Sequence, residues 1–265
     1  MKPTSIAAVN RLPEPEKREI YLRIVPQVLV ERFSLPADFR DHQGRSLADL
    51  RCQAGSTDVV LALRHRAEAS DPLLYSHVGD TMNGQMHVLL YVVNDPESPR
   101  FDVDRMPDGQ PTEFGVFRRN LEAEAAALQA GLAPGQVRRG LRVLRDSIGA
   151  FETFVASLGH DMYFVEPLFY HNAVLFESYG FAYQEGRRLM EGIDTGFQPG
   201  GSLSAAMDGS TPFRQPPMAT SVRGRSWAIH DGALGYPFTR VTMYKRLGQD
   251  SKVSTFPAAS WQACA

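Results

Sequence analysis

Three runs of β-branched and aromatic residues, joined by links too short for a crossover, constrain this chain more than any other feature. They are Asp58-Val-Val-Leu-Ala-Leu-Arg64, Leu73-Leu-Tyr-Ser-His-Val78 and Met86-His-Val-Leu-Leu-Tyr-Val-Val93. Their composition is that of strands, and Ala-Ser-Asp-Pro and Gly-Asp-Thr-Met-Asn-Gly between them are turn chemistries. Parallel neighbours need a connection of about a dozen residues or more. The spacing therefore predicts an antiparallel meander of three strands. Asn94–Pro99 ends it, and Phe101–Asp104 offers a further short strand.

A helical centre follows. Leu121–Ala130 is rich in Ala and Glu and stops at Gly131, a natural residue to follow a helix. Val137, Leu141, Leu144, Ile148, Phe151, Val155 and Leu158 recur at alternating steps of four and three, one continuous stripe. With Pro134 at a permitted first-turn position, that stripe predicts a helix over 134–158. Asp161–Val165 reads as a buried strand and 167–179 as a helix closed by Gly180. Phe181–Met190 is open between a strand and a helical continuation.

Near the start, Glu16–Phe33 is a strand followed by a helix from Pro26, or two short strands, and Ser46–Leu50 a helical turn. Ser226–Ile229, Thr239–Lys245 and Val253–Phe256 read as late strands. The fold class is α+β: a mixed, largely antiparallel sheet flanked by helices. Pro3, Pro13 and Pro15 mark residues 1–15 as a flexible arm. The remaining 16–265 form a single domain with a core over 57–195, a Pro/Gly-rich covering loop over 196–224 and C-terminal strands over 225–265.

Lys and Arg number 28 against 30 Asp and Glu, a formal charge of −2. No field of one sign is available to hold nucleic acid or an anionic membrane. The longest apolar run, Val88–Val93, is far short of the ~20 residues that span a bilayer, and no secretory h-region precedes it. Cys52 and Cys264 form neither a disulfide framework nor a zinc set. Together these predict a cytoplasmic protein with a small-molecule substrate, and a homodimer is the assembly to test. Gly-x-Gly-x-x-Gly, a Walker loop and Gly-x-Ser-x-Gly are all absent from the sequence, which argues against common nucleotide sites and acyl-serine chemistry.

Asn172-Ala-Val-Leu-Phe-Glu-Ser-Tyr-Gly-Phe181, after the long amphipathic helix and the buried strand, resembles the Gcn5-related N-acetyltransferase (GNAT) family over about residues 134–190. The resemblance implies an acyl-CoA-dependent N-acyltransferase in which acetyl-CoA or another acyl-CoA splays the sheet. It implies pyrophosphate at the helix start near Gln136-Val-Arg138-Arg139-Gly140, with Asn172 among the cofactor-binding residues. The family's general-acid tyrosine falls on Phe176, which has no hydroxyl, and Tyr170 and Tyr179 are its nearest substitutes. Arg138, Arg139, Arg142 and Arg145 make either a phosphate platform or the solvated face of a helix.

Three residues stand out as proton carriers. Glu166, between Phe164 and Phe169 in sequence, is either a desolvated general base or an acceptor of N–H bonds at a helix start, and the two uses shift its pKa in opposite directions. His171 is a proton shuttle or a packed histidine. His230, delivered with Asp231 into the Gly232 turn, is a third base or a residue bonding its own backbone. A different chemistry is a mononuclear metal enzyme, an iron oxygenase or zinc hydrolase. In it His77 and His87, opposite one another about a turn near Met82, would join a carboxylate such as Glu166. A non-catalytic reading is a small-molecule binding domain with an apolar ligand under 196–224.

Overall fold

The computed structural model describes residues 2–112, 115, 118–258 and 260–261; Cys264 lies outside them. The strands are β1 (Ala48–Arg51), β2 (Asp58–Leu63), β3 (Leu74–Asp80), β4 (Met86–Val93), β5 (Met162–Val165), β6 (Ala182–Glu185) and β7 (Thr242–Arg246). The helices are α1 (Ile6–Val9), α2 (Glu14–Leu22), α3 (Gln27–Arg32), α4 (Leu121–Gln129), α5 (Leu144–Ser157), α6 (Tyr170–Ser178), α7 (Arg187–Phe197), α8 (Ser202–Ala205) and α9 (Val222–His230). The fold is α+β, and its strands order as β1-β2-β3-β4-β5-β7-β6 in a mixed, mostly antiparallel sheet. The chain divides into two compact units: Met1–Glu97 with Gly140–Val165 and Tyr244–Gln249, and Ser98–Arg139 with Glu166–Met243 and Asp250–Ala265.

In the first unit the expected meander is present. β2 and β3 pair from Asp58↔Gly79 to Leu63↔Leu74, and β3 and β4 from Leu74↔Val93 to Asp80↔Met86. Ser46–Leu50 is not a helical turn: Ala48–Arg51 forms β1 and pairs with β2, which supplies the backbone partners that so short a helix lacks. α5 lays Phe151 and Phe154 inward. Phe151 meets Tyr163 edge-on at 4.9 Å between ring centroids, and Phe154 meets Tyr21 at 6.1 Å.

The N-terminal segment corrects the expected flexible arm. Asp80 accepts the N–H groups of Ile6 at 2.8 Å and Ala7 at 2.9 Å, holding the start of α1 to the end of β3. Ile6 and Val9 are buried, and the Asn10 amide donates to the Ser56 and Asp58 carbonyls. Pro13 and Pro15 mark the start of α2, where a missing N–H costs nothing. Glu16–Phe33 lies in two helices, α2 and α3, with Pro26 as the cap between them.

The helix expected over 134–158 begins only at Leu144. Gly135 at φ +77° and Arg142 at φ +61° break any helix before that point. Of the apolar stripe, Leu141, Phe151, Val155 and Leu158 are buried while Val137, Leu144 and Ile148 are half-buried, and Val143 and Phe154, off the stripe, are buried as well.

The second unit is built around Trp227. Its indole N–H donates to the Leu132 carbonyl at 2.8 Å, and its ring stacks on Phe213 at 5.1 Å. Ser226–Ile229, expected as a strand, lies within α9, whose cap Ser221 accepts the Gly224 N–H at 3.0 Å. The expected covering loop over 196–224 is partly structured, since it contains α8 and a 3₁₀ turn at Pro216–Thr220 and buries Leu203, Met207 and Phe213. Phe181–Met190 divides between β6 and α7 at Gly186. Of the late strands, Thr239–Lys245 corresponds to β7. Val253–Phe256 is irregular, its Thr255 bonded to Glu177, and Phe101–Asp104 forms no strand.

Candidate functional site

Within the first unit, β5 runs parallel to β4 over only three pairs, Met86↔Tyr163, His87↔Phe164 and Val88↔Val165. β4 continues through Leu89–Val93, where β3 is its strand partner among the described residues. Val165 is the last residue of β5, so β4 runs on past the end of its parallel partner. In the ladder with β3 the register slips between His77 and Val78, leaving Leu89 as the extra residue. Leu89–Val93 thus has one edge free of ladder bonds, of the kind that an extended ligand pairs with.

In the same unit, no side chain caps the N-terminus of α5, where Val143 is the cap residue. The first N–H groups of a helix are intrinsically unpaired and the dipole there favours an anion. Ser147, in the first turn of α5, is buried, and its hydroxyl has no hydrogen-bond partner; the same is true of the Tyr91 hydroxyl on β4. Burial pushes the Tyr91 pKa up and keeps it a phenol, an effect the neighbouring Ser147 hydroxyl partly offsets. The two hydroxyls are neighbours, and neither makes a hydrogen bond of standard geometry.

Gln136–Gly140, expected at a helix start, lies in irregular chain. The Gln136 side chain accepts the Ala133 N–H at 2.7 Å, and the Arg138 guanidinium donates to the Ser98 carbonyl. The Arg139 N–H donates to the Ser98 hydroxyl at 3.2 Å. Gln136, Arg138 and the Arg139 backbone fasten this turn internally, and the helix start lies beyond Gly140, at Leu144.

In the second unit, α9 brings Arg223, Ser226, Trp227 and His230 to one face by the helical spacing of three, four and seven residues. Ser226 and the first turn of α6 fix His171. The Asn172 Oδ1 accepts the Phe169 N–H at 3.2 Å, which orients its amide so that Nδ2 donates to His171 Nε2, also at 3.2 Å. His171 Nδ1 then carries the proton and donates to the Ser226 hydroxyl at 2.9 Å. Burial, with the nearby positive charge of Arg223, pushes the His171 pKa down to about 3. Both ring nitrogens are engaged, so His171 is a neutral structural histidine with no lone pair to spare.

His230 differs. Its Nε2 lies 3.0 Å from the carboxylate of Glu124, whose side chain is 3% exposed. Burial pushes the Glu124 pKa up, but bonds from His230 and Arg119 outweigh it and hold the group below the usual carboxylate range. An ionised Glu124 accepts a hydrogen bond from His230, which makes Nε2 a proton-bearing nitrogen. Arg119 continues the network to Asp231 at 2.7 Å, and Arg214 also reaches Asp231, at 2.9 Å. Phe169 packs against both imidazoles, stacked on His171 at 5.7 Å and edge-on to His230 at 5.5 Å. Among the sequence candidates, His171, Asn172 and His230 are thus brought together, while Glu166 lies exposed after β5.

The two histidines proposed for a metal are not opposite one another. Leu90 lies across from His77, and the turn register, with Asp80 opposite Met86, puts Gly79 across from His87. His77 Nε2 instead meets Asp58 at 3.1 Å. Among the described residues no group of three His, Cys, Asp or Glu side chains is placed to hold a metal ion.

Sequence reading missed Glu124, Arg119, Ser226, Tyr91 and Ser147. Glu124 sits in an Ala/Glu helix that looks solvated, and only its pairing with His230 across the sequence gives it meaning. No known family model matches this chain, and no curated protein or solved structure shows significant similarity to it.

Proposed function

We propose that this protein is an acyl-CoA-dependent N-acyltransferase, with acetyl-CoA or another acyl-CoA as co-substrate. The observation that carries the reading is the edge of β4 at Leu89–Val93, which runs on beyond the end of its parallel partner β5 at Val165, in a unit that also holds the uncapped start of α5. A pantetheine arm is an extended chain with two amides, and the free edge at Leu89–Val93 offers the backbone groups to pair with them. Its pyrophosphate would sit on the N–H groups at the start of α5. The unpartnered hydroxyls of Tyr91 and Ser147 would donate to the ligand and lose the penalty of burial without a partner.

The reaction is direct transfer. The amine nitrogen of the acceptor bonds to the thioester carbonyl carbon, a base removes the ammonium proton from the tetrahedral adduct, and the carbon–sulfur bond breaks. The thiolate of CoA leaves and takes up a proton. The base must be neutral before it acts and have a free lone pair. Within the second unit His230 is the candidate for such a base, held at Nε2 by Glu124, whose carboxylate would stabilise an imidazolium. Cys52 is a free thiol, as suits a cytoplasmic protein.

Calorimetric titration with acetyl-CoA tests the reading. Saturable heat at micromolar ligand is expected; a well-folded sample giving no heat at high micromolar concentrations ends it.

A further inference from the structure

Arg223 is a half-buried guanidinium with nothing to neutralise it. Its Nε is buried and has no hydrogen-bond partner, and among the described residues no carboxylate pairs with it. The other inward arginines of this unit are all satisfied: Arg119 by Glu124 and Asp231, Arg214 by Asp231, and Arg225 by Asp194 at 2.7 Å. A second unpaired cation lies beside it. Trp227, one turn further along α9, anchors the segment that starts at Leu132, and Val137 packs against the Trp227 cluster. Two residues later comes Arg139, whose side chain makes no ion pair and whose charge bears unfavourably on Arg223. Gly131, at φ +78°, lies against the Arg223 guanidinium, since a Cβ there would stand 3.7 Å from Nη1. Two like charges held together, one with a buried donor left open, make an arrangement that a folded chain keeps at a cost unless an anion completes it.

We infer that Arg223 and Arg139 form a receptor for an oxoanion, a carboxylate or a phosphate group carried by a small-molecule ligand. The fork of a guanidinium matches either group with two parallel N–H bonds, and a second arginine beside it favours a group bearing more than one negative oxygen. This site uses residues of the second unit alone and stands whether or not the protein transfers acyl groups.

The test is thermal unfolding of the full chain in phosphate-free buffer with succinate or inorganic phosphate, against chloride of equal ionic strength. The wild type is expected to gain a few degrees in melting temperature, rising with anion concentration as ligand linkage requires. Arg223→Met should lose that response and, without ligand, melt at or above the wild type, because an unpaired cation has been removed. Arg139→Gln, at an exposed position, should weaken the response several-fold while leaving the unliganded melting point unchanged. Stabilisation by phosphate but not by succinate would identify a phosphate group as the anion. Stabilisation by succinate with acetyl-CoA binding unchanged would identify a carboxylate on a second substrate. Equal responses from wild type and both variants, or a large loss of unliganded stability in Arg223→Met, would overturn the inference.

Discussion

His230 and Glu124, 106 residues apart in sequence, meet at 3.0 Å with the carboxylate 3% exposed. Glu124 also receives two bonds from Arg119, at 2.9 and 2.6 Å, so one buried carboxylate holds a base and a cation in place. Glu124→Gln keeps the volume and removes the charge. Breaking a buried ion pair from one side costs about 3–5 kcal/mol, so urea unfolding should show a loss near that size. If His230 is the base, His230→Gln should lower kcat by about 10²–10⁴ and leave the acetyl-CoA affinity unchanged.

The same network sets a pH dependence. The folded-state pKa values of Glu124 and Asp231 lie below their ordinary values because their partners outweigh burial. Their contribution is therefore complete above about pH 4.5, near the ordinary pKa of glutamate, and fades as pH falls through the lowered folded values. Chemical unfolding followed from pH 6 to pH 3 should show wild-type stability dropping more steeply than that of Glu124→Gln.

His171 acts in a higher window. Its folded pKa of about 3 lies below the ordinary 6.5, so the unfolded chain takes up a proton that the folded chain refuses. Stability from this group is full above pH 6.5 and falls as pH drops toward 3, by up to about 1.4 kcal/mol per pH unit. His171→Asn should be less stable at neutral pH and should flatten the slope between pH 6 and 4. A slope unchanged in the variant would show that another group carries it.

Tyr91→Phe separates a ligand donor from a structural one. The hydroxyl has no partner in the fold, so its removal should leave stability unchanged or raise it by about 1 kcal/mol. Acetyl-CoA binding, measured by calorimetry on the same sample, should weaken several-fold. A stability loss above about 1 kcal/mol would mean that the hydroxyl is already satisfied.

Gly186→Ala tests the joint between β6 and α7. Gly186 has φ +94°, and a Cβ there would stand 2.8 Å from the Arg240 carbonyl oxygen and 2.9 Å from Val241. Left-handed strain alone costs on the order of 1 kcal/mol, and the backbone contact adds to it. The melting temperature should fall by several degrees.

The meander was legible because its signal is local: strand composition, turn residues and short links all lie within Asp58–Val93. The ends of α4 and α6 were legible for the same reason, as Gly131 and Gly180 both take the positive φ that follows a helix. Ser226-Trp-Ala-Ile misled because its β-branched and aromatic composition outweighs a single N-cap serine, Ser221, placed several residues earlier. Once that segment is a helix, Arg223, Ser226 and His230 share a face, which no strand reading permits. The His77–His87 pairing failed because the hairpin turns one residue later than Met82, with Asp80 opposite Met86, which sets His87 against Gly79 rather than His77. Glu124 and Tyr91 were invisible because their roles depend on partners brought in by tertiary structure.

The bond between Asp80 and the start of α1 joins residues 74 positions apart. During synthesis the first helix is therefore made long before its anchor emerges from the ribosome. The earliest segment of the chain must wait undocked until the third strand has followed it out, so the order of manufacture and the order of assembly run opposite ways at this end of the protein.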